Sequence, residues 1–356
     1  MAEDLQNGRT DYNILDGAMA VPQVVQFGTK LNSILSLRGD VDGKISDLLK
    51  GSGSEVENTL FEILTAAAFQ EKGYDPAFVP VNRTEKTPDL VVSVGRIEIF
   101  VECKRKAKFG EYESQEALHM LDIFKHVRKH LSQSKLAGTL DLKFFWPSDE
   151  IAVATIVGAC ISAISQERSI YYSWGSCSFN RLPLEMDVTL TRIYSPRFVS
   201  DVTGYELDGS QHDGLILQVA DPNEFEVDQA ISPVGLTWTS LSTKAADKKA
   251  RAIASLYSKA VSQFPHGSIG VPYVCYTESN GSRLADIRTA KMMEDLLDCE
   301  HRASIAVPHT FVNRLYAIPD EHGNPDIIEN SVQFRASHLP QHFDLDFPTL
   351  IFTNQG

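Results

Sequence analysis

Positive charge is in short supply in this chain of 356 residues. Its 33 Lys and Arg stand against 47 Asp and Glu, a formal net charge of −14. A surface of that sign does not attract nucleic acid as a whole, so any nucleic-acid site must be a local basic patch. Cysteine is scarce as well. The five present are Cys103, Cys160, Cys177, Cys275 and Cys299, an odd number with no Cys-x-x-Cys spacing. That excludes a zinc knuckle and a disulfide scaffold, and predicts reduced thiols in a reducing compartment. Long apolar runs are missing too. The longest, Ile151 to Ile164, has 14 residues, too few for a bilayer span, and reads as a buried helix. The opening Met-Ala-Glu-Asp-Leu-Gln-Asn is polar and acidic, unlike a signal peptide. There is no Walker A loop, no dinucleotide fingerprint, no internal repeat and no low-complexity tract. The expectation is a cytoplasmic protein that does not engage a membrane.

What the chain does have is apolar residue, 43% of the total, enough for more than one core. The length favours two domains. Residues 1–50 show weak periodicity and are expected to form a peripheral arm with a short helix or two. Within the arm, Asp40-Val-Asp42-Gly43 lacks the later acids of a calcium loop and reads as a turn. Residues 51–150 read as an α/β unit. Ser54 followed by Glu57 fits a capping box. Leu60, Ile63, Leu64, Ala67 and Ala68 recur at helical spacing, and Lys72-Gly73 ends the helix. Strands are expected at Phe78–Val81, Leu90–Val94 and Ile97–Cys103, then a helix at Ser114–Ala137 and a strand at Leu140–Phe145. Residues 151–356 form a second lobe whose role the sequence leaves open. It opens with the apolar helix at 151–166. Strands follow at Met186–Ile193, Leu215–Val219, Gly270–Tyr276 and Phe311–Ile318, with helices at 243–264 and 284–298.

The chemistry concentrates in Thr87-Pro88-Asp89 and Val101-Glu102-Cys103-Lys104. Between them lie two β-rich runs joined at Gly95-Arg96. A two-residue loop with Gly first suits a type II′ hairpin turn, which pairs Val94 with Ile97. Carrying that register down the hairpin sets Asp89 opposite Glu102, roughly 5 Å apart at Cβ. Glu102 and Lys104 share a strand face, while Ile97, Ile99, Val101 and Cys103 form the apolar one. Two facing carboxylates repel unless a cation lies between them. Hard oxygen donors suit Mg²⁺ or Mn²⁺, and Mg²⁺ often takes one or two carboxylates, water and a substrate phosphate. A Lewis acid, an activated water and an ammonium are the parts that phosphodiester hydrolysis needs. The plain alternative is an ordinary hairpin with surface charges.

Pro-Asp, a spacer, then Glu-x-Lys at the end of an apolar strand resembles the PD-(D/E)xK, or restriction-endonuclease-like, nuclease superfamily. The preceding helix with Phe61-Glu62, ending in Lys72-Gly73-Tyr74, is similar to the first helix of that fold, which often supplies a further acid. The resemblance covers roughly residues 54–146. It implies an α/β fold whose core is a mixed central sheet flanked by helices, while the rest of the chain is read separately as a second α/β or α+β lobe. It implies Asp89 and Glu102 as ligands of Mg²⁺ or Mn²⁺, with the backbone carbonyl of Cys103 as a further donor. Lys104 would orient the attacking water or stabilise the transition state, and Glu62, with Glu55 and Glu57 as rivals, would be the helix acid. The implied activity is metal-dependent cleavage of nucleic acid, DNA favoured, as in prokaryotic defence or restriction. The alternative is a non-catalytic nucleic-acid- or partner-binding module on the same fold.

Phosphate contacts are expected from Arg105, Lys106 and Lys108, which adjoin the active strand. From Cys103 to Lys143, nine Lys and Arg meet five acids. The helix at 243–264 carries Lys244, Lys248, Lys249, Arg251 and Lys259 against Asp247, and is read as a solvated face. The overall acidity suggests a protein partner that delivers substrate or activates. His119, His126 and His130 share a helical stripe. With no Glu after His126 and no third ligand, they read as a polar flank rather than a zinc site.

Overall fold

The computed structural model describes residues 23–80, 87–106, 110–182, 186–187, 212–218, 230–231, 233–277, 287, 290–291, 294, 307, 309–319, 325–335 and 345–352. Residues 23–29 are helical, followed by helix α1 (Leu31–Leu35), strand β1 (Arg38–Gly39) and helix α2 (Val41–Lys50). The stretch from Asp40 to Gly43 starts α2. Asp40 caps it, its carboxylate accepting from the Gly43 N–H at 3.2 Å. Val41, Ile45 and Leu48 recur on one helical face and lay α2 on the core. Residues 23–50 therefore pack on the core, where an arm was expected over 1–50; the rest of that range lies outside the described residues.

Helix α3 (Ser54–Glu71) is buried along most of its length, including Leu60, Phe61, Ile63, Leu64, Ala67 and Phe69. Its start corrects the expected capping box. Gly53, at φ +53°, is the N-cap, and the Glu57 carboxylate faces Arg105 instead. Its end follows expectation, since Gly73 takes φ +82°, where a side chain is disfavoured.

Strands β2 (Asp75–Phe78), β3 (Leu90–Val94) and β4 (Ile97–Lys106) form an antiparallel meander, with β1 parallel to β2 at its edge. Helix α4 (Glu111–Gln133) follows, then β5 (Ala137–Phe144) and helix α5 (Val153–Gln166), which is the long apolar run. Next come β6 (Ile170–Tyr172), β7 (Gly175–Leu182), β8 (Met186–Asp187), β9 (Gly214–Gln218), β10 (Ala230–Ile231) and β11 (Val234–Ser240). Of these, β8 and β10 pair with each other, with no other partner among the described residues, and the rest join β5 in a five-stranded sheet ordered β6-β7-β5-β11-β9. Helices α4 and α5 bury Ile123, Val127, Ile156 and Cys160 against Leu140, Leu142 and Leu236 of that sheet.

Helix α6 (Thr243–Val261) then leads into β12 (Ile269–Thr277), β13 (His309–Pro319) and β14 (Pro325–Arg335). These strands extend the first sheet to β1-β2-β3-β4-β12-β13-β14. Strand β12 lies parallel to β4, with Tyr273 opposite Cys103. The sheet is covered on both faces, as parallel pairing requires. On one face Ile99, Val101, Cys103, Tyr273 and Cys275 join the α3 core. On the other, Phe100, Val274 and Tyr276 pack with Ile253, Ala254 and Tyr257 of α6. Residues 345–352 close the α3 side. Glu329 accepts from the N–H groups of Ile351 and Phe352 at 2.8 to 2.9 Å.

The architecture is α/β, two mixed sheets flanked by helices. The sheets do not follow a division at residue 150. Residues 51–150 supply strands to both, and the hairpin's own sheet takes three strands from residues 269–335. Of the helix expected at 284–298, residues 287, 290, 291 and 294 are described and helical. The strand expected at Met186–Ile193 is described only over β8, and the rest lies outside the described residues. Among the described residues no helix is long and apolar enough to cross a membrane.

Candidate active site

The hairpin adopts the register that its turn predicts. Val94 pairs with Ile97 and Leu90 with Val101. Gly95 takes φ +63° while Arg96 keeps a negative φ, the pattern of a type II′ turn. Asp89 lies one residue before β3, and its carbonyl accepts from the Val79 N–H at 3.0 Å. Its own N–H donates to Glu102 Oε2 at 3.1 Å, and its Oδ2 accepts from the Cys103 N–H at 2.8 Å. Each carboxylate is thus held by the backbone of the other's strand. Lys104 Nζ donates to Glu102 Oε1. Cys103 points the opposite way into the α3 core and is 4% exposed.

Glu62, on α3, is part of the same cluster, whereas Glu55 is exposed at the start of that helix. The residue that joins Glu62 to the hairpin is Lys44 of α2, which the sequence reading did not single out. Its Nζ lies 2.5 Å from Glu62 Oε2 and 3.9 Å from Asp89 Oδ1. One signal for it does exist in the sequence. Lys44 falls in the stripe of Val41, Ile45 and Leu48, where an apolar residue is the rule.

Burial shapes the electrostatics. Glu102 is fully enclosed, and burial followed by the Asp89 charge pushes its carboxyl up to about 8 against the pull of Lys104. Glu62 is pushed up to about 7, again by burial first and Asp89 second, with Lys44 opposing. Burial alone would lower Lys44 and Lys104. The carboxylates outweigh it, chiefly Glu62 for the first and Glu102 for the second, and both ammonium groups titrate above their usual range. Burial raises the Cys103 thiol well above its ordinary value, so it is no ready nucleophile.

The expected phosphate contacts fare differently. Arg105 is a correction. Its place on β4 turns it to the α3 face, where its side chain is 2% exposed. There it stacks on Phe352, bonds to Gln23 Oε1 at 2.7 Å and approaches Glu57 at 3.5 Å, so no face of it is left for a phosphate. Lys106 shares the face of Lys104 and pairs with Glu113 at 2.6 Å. Lys108 lies outside the described residues. On α6, Lys244 and Lys248 pair with Asp149 and Glu150 and Lys249 is buried, so these three lysines serve internal pairs. Among the described residues, with the lysines in place, no three Asp, Glu, His or Cys side chains stand at metal-ligand spacing. No protein-family model matches the chain, and neither a curated protein nor a solved structure does so.

Proposed function

We propose that the chain is a metal-dependent nuclease of the PD-(D/E)xK type, acting on phosphodiester bonds and on DNA by preference. The observation that carries this reading is the reciprocal locking of Asp89 and Glu102, with Lys104 on the second carboxylate. Three charged side chains are enclosed at one end of a hairpin, and a hairpin with mere surface charges has no need to enclose them. The surroundings agree with the reading. A helix precedes an antiparallel meander, and a parallel strand with its own helix completes a mixed sheet around β4.

The donor set fits a hard divalent cation in kind and number. Asp89 and Glu102 are oxygen donors on neighbouring strands, and Mg²⁺ commonly takes one or two protein carboxylates. An ammonium group lies beside each of them, Lys44 near Asp89 and Lys104 on Glu102, which supports a site suited to positive charge. Mg²⁺ or Mn²⁺ held by Asp89, Glu102 and the Cys103 carbonyl would supply a Lewis acid and an activated water. The chain's own residues do the rest. The Cys103 and Asp89 N–H groups fix the two carboxylates in place. Lys104 carries a positive charge toward the charge that develops on phosphorus. Glu62 adds a third carboxylate from the helix side. Among the described residues the basic groups beside the site are engaged in internal pairs, which fits weak intrinsic affinity for nucleic acid and a partner that delivers it.

The test is nicking of a supercoiled plasmid by the purified full chain with Mn²⁺, alongside single- and double-stranded DNA and RNA. Cleavage is expected with Mn²⁺ and is abolished by EDTA. Asp89→Ala and Glu102→Ala should be inactive yet melt cooperatively. Undiminished cleavage by Asp89→Ala would remove the assignment. DNA binding with no cleavage under any metal would favour the non-catalytic module.

A further inference from the structure

We infer that Lys44 is a resident counter-cation of the carboxylate cluster, and that a divalent cation binds there by displacing its ammonium group. The inference rests on the nuclease reading of the site and adds to it a residue from outside the Pro-Asp and Glu-x-Lys motif.

Three carboxylates meet at the site, from Glu62, Asp89 and Glu102. Lys104 serves one of them, from two positions along the same strand. The other two are served by Lys44. Its Nζ is 2.5 Å from Glu62 Oε2 and 3.9 Å from Asp89 Oδ1. These oxygens come from a helix and from the foot of a strand, two elements that share the same apolar core. Lys44 is not a surface lysine that happens to lie near. Its side chain is 13% exposed, and its Nζ stands 5.7 Å from the centre of the Phe78 ring. Its helix is fixed at both levels, by the Asp40 cap and by Val41, Ile45 and Leu48 on the core.

A point charge that bonds to a Glu62 oxygen and lies 3.9 Å from an Asp89 oxygen stands between two carboxylates, where an oxygen-ligated cation would have to sit to reach both. Ammonium and metal repel each other and compete for the same oxygens, so both cannot bind there in contact. The lysine stem is long and flexible, and its head can swing toward water when the metal arrives. In the absence of metal it spares Glu62 and Asp89 their mutual repulsion. The exchange of a unit charge at this distance is large enough to be read as an affinity change.

Two measurements decide the matter. Titration calorimetry with Mn²⁺ is run on the wild type, Lys44→Met and Lys44→Arg. Lys44→Met should bind Mn²⁺ about tenfold more tightly and, in EDTA, melt at a lower temperature than the wild type. Lys44→Arg keeps the charge and should not show the gain. The second measurement uses the wild type alone, so it stands even if Lys44→Met does not fold. Amine acetylation with and without Ca²⁺, read by mass spectrometry, should show Lys44 labelled several-fold faster with the cation and Lys248 unchanged. Equal or weaker Mn²⁺ binding by Lys44→Met, or Lys44 labelling indifferent to Ca²⁺ that does bind, overturns the inference and leaves the nuclease reading intact. A wild type that binds no divalent cation overturns both.

Discussion

Glu102, Cys103 and Lys104 are consecutive, yet they meet three different environments, because side chains alternate along a strand. Glu102 is enclosed beside Asp89, Cys103 sits in the α3 core, and Lys104 reaches back to Glu102. Substitution should separate their roles. Cys103→Val exchanges one small buried apolar group for another and should keep cleavage, with a stability change of about 1 kcal/mol. On the nuclease reading, Lys104→Ala should keep the fold and lose rate by orders of magnitude, since it would remove the charge proposed to face the developing phosphorane. Cleavage rates and melting temperatures of the two variants, measured side by side, check this. A folded but dead Cys103→Val together with an active Lys104→Ala would contradict the nuclease reading of this strand. Asp89, Glu102 and Lys104 were legible from sequence because one turn and one alternation place all three. Arg105 was not. Alternation does turn it to the Cys103 face, but only the fold brings Phe352, Gln23 and Glu57 to receive it.

The β3–β4 hairpin is the element on which the site depends, and its register hangs on Gly95. At φ +63° a side chain is strained, and no atom lies within 4 Å of where a Cβ would be. The penalty for Gly95→Ala is therefore conformational alone, about 1–2 kcal/mol. Gly158 provides the contrast. It lies inside α5 with equally open space and a negative φ, so Gly158→Ala should stabilise by up to about 1 kcal/mol. Denaturant midpoints of the two variants should move in opposite directions. A Gly95→Ala midpoint at or above wild type would refute the turn geometry that sets Asp89 against Glu102. Helices were harder to bound from sequence than this hairpin. The start of α3 was misplaced because Ser54 and Glu57 look like a capping box, while Gly53 holds the cap position and Glu57 turns to Arg105.

Across the molecule, α6 links the two sheets. One part of it packs on β4 and β12, and Lys249 reaches toward the other sheet. Lys249 Nζ lies 2.7 Å from Glu116 on α4 and 2.8 Å from Asp213 beside β9. Trp238 Nε1 donates to Glu116 at 3.3 Å, and the Ser240 N–H donates to Asp213 at 2.7 Å. With Lys249 1% exposed, its removal leaves two enclosed carboxylates without their cation. Lys249→Met should destabilise the protein by about 3–5 kcal/mol. Its neighbour Lys248, 28% exposed and paired with Asp149, should lose no more than about 1 kcal/mol on the same change. Equal urea midpoints for the two variants would show that the triad contributes nothing to stability.

The sequence by itself determined what lies within reach of a single turn or a single helix. That covers the hairpin register from Gly95-Arg96, the alternating faces of β4, the close of α3 at Gly73 and the helix within the 151–164 run, of which one face is buried. Each of these follows from local geometry with a fixed period. Tertiary structure alone decided which elements become neighbours. β12 was legible as a strand over Gly270–Tyr276, yet nothing in its sequence says that it will lie parallel to β4, with Tyr273 beside Cys103. Strands β11 and β14 were not read as strands at all, and only their pairing with β5 and β13 makes their place clear. Lys44 belongs to the same class. Its helix is written in Asp40 and the apolar stripe, but its place between Glu62 and Asp89 is fixed when that stripe docks on the core. Periodicity says which face of an element is apolar. Which partner covers that face is settled by the shape and charge of surfaces that meet only when the chain has folded.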